Sequence, residues 1–310
     1  YPHERVEFID FSPNEQYLVT YSPLPDPTNN NQRIIIWDIR MTAKKRLFDV
    51  EGSMVWPMFR WSHDDKYFAR IVKDSLYIYE TKTFALLEKK AVFVSGLKDF
   101  NWSPTDSIVA YWVAEDKDVP ARVTLMELPS RSEIAYKNLF NVADCKIHWQ
   151  KNGDYLCVKV DRYTKIKKEK NEIKYSGMSY NFELFHMRTK LIPVDSIVIK
   201  ENIQNFALEP VGSKLAIVHG EGQNISVSFY NLKSGAEPVL LKKFEKKSFN
   251  HVFWSPTGQY AVLAYIGSAG GALDFIDTND FHVMNSTSHF QLSDVEWDPT
   301  GRYVVTAASV

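Results

Sequence analysis

VFWSPTGQYAVLA, residues 252–264, is the stretch whose reading decides the fold. A short apolar run ends on Trp254. Ser255-Pro256-Thr257-Gly258 follows, and Tyr260 opens a second apolar run. Pro presets φ, and Gly supplies the positive-φ position that a tight hairpin demands. β-branched and aromatic residues fill both runs, as half-buried strands prefer. The stretch therefore reads as two strands joined by a tight turn.

The same pattern recurs along the chain. It appears as FIDFSPNEQYLVT from Phe8, FRWSHDDKYFA from Phe59 and FNWSPTDSIVAYW from Phe100. It continues as IHWQKNGDYLCV from Ile147, FALEPVGSKLAIV from Phe206 and VEWDPTGRYVVT from Val295. The residues closing the first runs are Phe11, Trp61, Trp102, Trp149, Leu208, Trp254 and Trp297, spaced by 50, 41, 47, 59, 46 and 43 residues. Four-stranded propeller blades repeat at about 40–50 residues. After each of the first six anchors comes a further apolar run ending in a polar residue: IIIWD, LYIYE, VTLME, FELFH, VSFYN and LDFID. Only the first holds the Trp-Asp dipeptide, Trp37-Asp38. No long run has a 3.6-residue apolar period, so the expected fold is an all-β β-propeller of four-stranded antiparallel blades. The anchors are expected to pack between neighbouring sheets.

The blade count predicts one propeller segment over residues 1–310, with six whole blades and a partial one at Trp297. A half-blade would leave an open sheet edge, which proteins avoid. The chain also opens Tyr1-Pro2-His3-Glu4. Together these features suggest a piece of something longer.

Composition excludes several classes. Lys plus Arg is 37 against 38 Asp plus Glu, so a whole-surface basic field for nucleic acid is ruled out and only a local patch can serve. Two cysteines, Cys145 and Cys157, cannot build a disulfide scaffold, which favours a reducing compartment. They fall in adjacent strands of one blade and read as buried, inert thiols. No apolar run approaches the roughly 18 residues that span a bilayer. The eight histidines form no metal-binding motif, and neither cysteine belongs to a C-x-x-C pair. His63-Asp64-Asp65 sits where a blade turn is expected. Gly267-Ser268-Ala269-Gly270-Gly271 is neither a nucleophile elbow nor a phosphate loop. No catalytic, metal or cofactor residue is assigned.

Three connections exceed what blade geometry needs, all between second and third strands: residues 21–33, 113–122 and 161–180. The last carries Arg162, Lys165, Lys167, Lys168, Lys170 and Lys174 against Asp161, Glu169 and Glu172. Tyr163 and Tyr175 lie among these lysines and could stack on bases. Lys165, Lys167, Lys168, Lys170 and Lys174 are the candidate contact to ribosomal RNA. Lys242, Lys243, Lys246 and Lys247 form a second basic cluster, expected in a loop on the same surface. A lysine-rich loop is also the commonest kind of solvated loop.

Several non-repetitive strings carry a family resemblance: NLFNVADCKIHWQKNGDYLCVKVDR (138–162), EDKDVPARVTLMELP (115–129), GSKLAIVHGE (212–221) and ISVSFY (225–230). With VEWDPTGRYVVT (295–306), they resemble the b subunit of eukaryotic translation initiation factor 3, in order, over nearly the whole chain. The resemblance implies a cytoplasmic, non-enzymatic scaffold of the preinitiation complex, acting during mRNA recruitment and scanning. It implies a propeller of nine blades, preceded by an RNA-recognition-motif domain and followed by a helical tail, neither of which is in this sequence. The implied partners are the a, g, i and j subunits of the factor and the protein and RNA of the small ribosomal subunit. No cofactor, membrane or small-molecule substrate is implied. Two other readings stand beside it. One is a generic WD-repeat adaptor of another cytoplasmic complex. The other is the propeller half of a serine peptidase, which would need an adjoining hydrolase domain.

Overall fold

At five of the seven anchors the next residue helps turn the chain back. Ser255 Oγ accepts the backbone N–H of Tyr260 at 3.0 Å. Ser12 does the same for Tyr17 at 3.0 Å and Ser62 for Tyr67 at 2.9 Å. Glu209 serves Lys214 at 2.9 Å, and Asp298 serves Tyr303 at 2.8 Å. In each of these turns the side-chain oxygen adds a second bond beside the backbone N–H to carbonyl bond that joins the same two residues. Five of the seven turns after the anchors hold one residue at a φ between 55° and 79°: Gly153 at 75°, Gly258 at 79° and Gly301 at 70°, but Glu15 at 55° and Asp65 at 58°. Glycine adopts that conformation without steric cost, whereas a side chain must be compensated.

The computed structural model describes residues 1–25, 27, 31–50, 55–169, 172–233, 237–267 and 270–308. The strands of the first blade are β1 (Phe8–Phe11), β2 (Tyr17–Tyr21), β3 (Ile34–Asp38) and β4 (Ala43–Phe48). The second blade has β5 (Arg60–Trp61), β6 (Tyr67–Val72), β7 (Ser75–Glu80) and β8 (Val92–Phe93). The third has β9 (Leu97–Trp102), β10 (Ile108–Val113), β11 (Ala121–Glu127) and β12 (Ser132–Leu139). In the fourth, β13 (Val142–Trp149) and β14 (Tyr155–Arg162) are followed by a separate hairpin, β15 (Lys165–Glu169) and β16 (Glu172–Ser176). The blade then resumes with β17 (Ser179–His186) and β18 (Val194–Ile199). The fifth contains β19 (Ile203–Leu208), β20 (Lys214–His219), β21 (Ile225–Asn231) and β22 (Val239–Lys247). The sixth contains β23 (His251–Trp254), β24 (Tyr260–Ala264), β25 (Ala272–Asp277) and β26 (His282–Ser288). A last pair is β27 (Leu292–Trp297) and β28 (Val304–Ala308).

Each group of four is one antiparallel sheet with neighbours in chain order, the up-and-down blade of a β-propeller. The expected fold class is therefore observed. The chain divides into two compact units, Tyr1–Leu139 and Phe140–Val310, each with its own cores. In the first unit, apolar clusters fill the space between the first and second sheets and between the second and third. In the second, they lie between the fourth and fifth, fifth and sixth, and sixth sheet and final pair. The third strands are deeply buried: Ile34, Ile35 and Ile36 are at 0% exposure, as are Phe182, Leu184 and Phe185. The outer strands β22 and β26 are mostly exposed.

A regular bond ties successive blades. Trp102 Nε1 donates to the Arg60 carbonyl at 2.8 Å, Trp254 Nε1 to Ala207 at 3.0 Å and Trp297 Nε1 to Phe253 at 3.2 Å. In each case the acceptor immediately precedes the anchor of the preceding blade. Trp61, Trp102, Leu208, Trp254 and Trp297 belong to the apolar clusters between neighbouring sheets, as expected of the anchors, whereas Phe11 does not. Phe11 is 50% exposed, because a first-strand anchor is covered by the sheet before it, and no sheet precedes β1 within the chain. Trp61 is buried, but its Nε1 meets no acceptor among the described residues. It stacks instead on Tyr17 at 5.5 Å.

The Trp-Asp dipeptide of the first blade has its own role. Trp37 Nε1 donates to Thr20 Oγ1 at 2.8 Å, and the same hydroxyl lies 2.8 Å from His3 Nδ1. One hydroxyl can accept from the indole and donate to a neutral imidazole, tying the stretch before β1 to the second and third strands. His289 and Thr306 repeat the imidazole–hydroxyl part at 2.9 Å, again 17 residues apart.

Candidate functional site

The expected loop at 161–180 is corrected by the structure: most of it is a β-hairpin. β14 runs through Arg162, β17 begins at Ser179, and β15 pairs with β16 between them. Register decides what each face presents. Lys165 pairs with Ser176, Ile166 with Tyr175 and Lys167 with Lys174. Directly paired residues share a face, and successive residues along a strand point to opposite faces. Exposed Lys165, Lys167 and Lys174 therefore lie on one face, and exposed Ile166, Ile173 and Tyr175 on the other. Lys168 pairs with Ile173 in register. Lys170 lies outside the described residues.

The direct pairing of Lys167 with Lys174 puts two lysines side by side on that face. The tyrosines do not interleave with these lysines. Tyr175 belongs to the opposite face, and its ring packs against Tyr163 at 4.8 Å. The base-stacking expectation therefore loses its geometric support, while the cationic face remains.

The second basic cluster is not in a loop. All four lysines belong to β22, the outer strand of the fifth blade. Lys243 pairs with Glu245 at 3.1 Å, and Lys247 reaches Asp274 of the sixth blade at 3.3 Å. Lys242 lies 5.5 Å from the Phe244 ring, and Lys246 is exposed. Lys247 is thus an inter-blade tie, and Lys243 has a carboxylate partner on its own strand.

The remaining polar candidates are structural. Cys145 and Cys157 are buried on β13 and β14, and burial, with Glu183 adding to it, pushes the Cys157 thiol far up. His219 Nε2 lies 2.9 Å from Ser228 Oγ, and its Nδ1 lies 3.7 Å from Glu201. That row has the order of a nucleophile, base and acid. Yet Ser228 is 1% exposed in the middle of β21, where no substrate carbonyl can approach. Burial lowers the His219 pKa, so the neutral ring serves as a link between β20 and β21. Among the described residues, no group of three or more His, Cys, Asp or Glu could hold a metal ion. No helix among them is long and apolar enough to cross a membrane. Gly267 to Gly271 joins β24 to β25, with its positions 268 and 269 outside the described residues. One concentration of charge escapes a reading of runs along the chain. Arg60, Arg70, Lys73 and Lys98, scattered over 39 positions, converge on a single cavity in the first unit.

Comparison with known proteins agrees with the fold and the resemblance. A solved structure described as a eukaryotic initiation factor matches with a TM-score of 0.77 at 19% identity, covering 99% of this chain and 73% of that one. At that identity the match speaks for the fold alone. The b subunit of eukaryotic translation initiation factor 3 from Bombyx mori is 62% identical over 308 residues, covering 99% of this chain and 44% of that protein. Its Aedes aegypti counterpart is 59% identical over 311 residues, 100% of this chain and again 44% of that protein. The chain thus spans less than half the length of these relatives. The family model of eukaryotic translation initiation factor eIF2A matches residues 137–310. The chain belongs to the family that this model describes, and over its whole length it is similar to the b subunit of eukaryotic translation initiation factor 3.

Proposed function

We propose that this chain is a propeller segment, spanning residues 1–310, of a cytoplasmic, non-enzymatic scaffold subunit of eukaryotic translation initiation factor 3. It docks other subunits, among them a, g, i and j, and the small ribosomal subunit in the preinitiation complex during mRNA recruitment and scanning. The observation that carries this reading is the 62% identity to a relative named as the b subunit of that factor, across 99% of the chain. The mechanism is geometric. Blades tied by indole–carbonyl bonds hold their connections at set angles, and many modest contacts add within one assembly. A generic adaptor of another complex would share the blades but not the extended identity.

Within this reading, Lys165, Lys167, Lys168, Lys170 and Lys174 contact ribosomal RNA, and exposed Lys242 and Lys246 are the part of the second cluster left for such a contact. The test is binding of the K165E/K167E/K174E variant to purified small ribosomal subunits across a salt series. Three lost phosphate contacts should flatten the slope of log K against log salt by about 2. An unchanged slope removes the hairpin from the interface.

A further inference from the structure

A cavity of about 530 Å³ opens beside the starts of β5 and β9 and the turn between β6 and β7. Arg60, Arg70, Lys73 and Lys98 line it, with Asp99 as the sole carboxylate of the lining among the described residues. Asp99 is already engaged, since Arg60 Nη1 holds its Oδ1 at 2.7 Å. The lining therefore carries a surplus of three positive charges.

Arg70 is held in place without being satisfied. Its guanidinium carbon lies 5.1 Å from the Phe48 ring and 5.9 Å from Phe59. Among the described residues its Nη1 reaches only the Met58 sulfur at 3.6 Å, a weak acceptor. Its Nε is buried and meets no acceptor among the described residues. A guanidinium packed on rings and short of oxygen partners is prepared for an anionic oxygen. Lys73 and Lys98 are exposed at the rim and have no ion-pair partner among the described residues.

The rest of the wall selects among anions. Pro57, Met58, Ile71 and Val72 make it aliphatic. Single-stranded nucleic acid is held by exposed rings on which bases stack. The single aromatic side chain of the lining, Phe100, is 3% exposed and covered by the Arg60 guanidinium at 5.0 Å. Carboxylates alternating with an apolar side chain match both parts of the wall.

We propose that this cavity docks a short acidic segment of a partner protein, its carboxylates on Arg70, Lys73 and Lys98 and one apolar side chain against Pro57, Met58, Ile71 and Val72. This deepens the docking role proposed for the chain and rests on it. The probe is a short fluorescein-labelled peptide of alternating Glu and Ala with one central Leu, followed by fluorescence anisotropy on the whole chain. K73E/K98E changes only exposed side chains, and circular dichroism verifies that it folds. We expect it to weaken the peptide by at least about ten-fold. The Gln-for-Glu peptide should bind as weakly, and replacing the central Leu by Ala should cost several-fold. Absence of binding by the Glu peptide, equal binding of the Gln peptide, or unchanged binding by K73E/K98E overturns the proposal. So does an oligouridylate of equal charge that displaces the peptide at the same concentration, because the occupant would then be RNA. The K165E/K167E/K174E hairpin variant should keep the peptide, and its losing it would also overturn the proposal. Failure of ribosome binding at the hairpin and failure of peptide binding at the cavity are therefore separate results.

Discussion

The joint between the first and second blades and the joint between the fifth and sixth occupy the same places in the repeat but use different chemistry. At the later joint, Trp254 donates its indole N–H to Ala207, and the Gly258 turn lies so close to Glu209 that an added Cβ would come 2.4 Å from its Oε1. At the earlier joint, the Trp61 indole N–H meets no acceptor among the described residues, and the ring stacks on Tyr17. Asp65 stands where Gly258 stands in the later turn, at φ 58°, and its carboxylate crosses to the first blade. It accepts from Ser12 Oγ at 2.6 Å and from the Asn14 backbone N–H at 3.1 Å. The strained turn residue thus supplies the inter-blade bond that the tryptophan lacks. The repeat sets positions, and different side chains can fulfil the same tie at them.

The sharpest way to break this comparison is at the tryptophans. Trp254→Ala should destabilise the protein by about 3–5 kcal/mol in denaturant unfolding. Trp254→Phe keeps most of the ring but strands the Ala207 carbonyl, at about 1–3 kcal/mol. Trp61→Phe should cost clearly less than Trp254→Phe, since no indole bond is lost. Equal losses in the two phenylalanine variants would refute the difference in chemistry.

Asp65 offers the next largest effect. Asp65→Ala removes the acceptor of Ser12 and Asn14 at a site 2% exposed and leaves a positive-φ residue uncompensated. A loss of about 1–3 kcal/mol is expected in the same unfolding assay. Asp65→Gly should recover part of it, because glycine relieves the backbone while the clamp stays absent.

The smallest effect concerns the final hairpin, where Asp298 replaces the serine that follows other anchors. Its bonds from Thr300 Oγ1 and from the N–H groups of Tyr303, Thr300 and Arg302 hold its pKa down to about 2. A depressed carboxylate pKa stabilises the fold above its unfolded value of about 3.9 and loses that contribution as pH falls through the folded value. The thermal midpoint of wild type should therefore exceed that of Asp298→Asn near neutral pH, with the gap narrowing between about pH 4 and 2. A gap independent of pH would show that the charge plays no part.

Much of this was open to a reader of the chain alone. The anchors, the Ser-Pro-x-Gly turns and the apolar third strands repeat at blade spacing, because each sheet must bury two faces and turn tightly between strands. The basic character of the 161–180 connection was equally plain. Its pairing was not, since alternating lysines and isoleucines around a polar tip suit a solvated loop as well as a hairpin, and only the register separates Lys167 from Tyr175. In the run at Lys242 to Lys247 the tie made by Lys247 was not legible, because Asp274 is 27 residues away on another blade.

By itself the sequence determined the all-β repeat, the places of its turns and the family, since these depend on local patterns of apolar, turn and positive-φ residues. Tertiary structure alone decided which tryptophans are bonded, which lysines are engaged and that four scattered cations meet at one cavity. Those outcomes depend on distances between residues on different strands and blades, which the linear order of the chain does not encode.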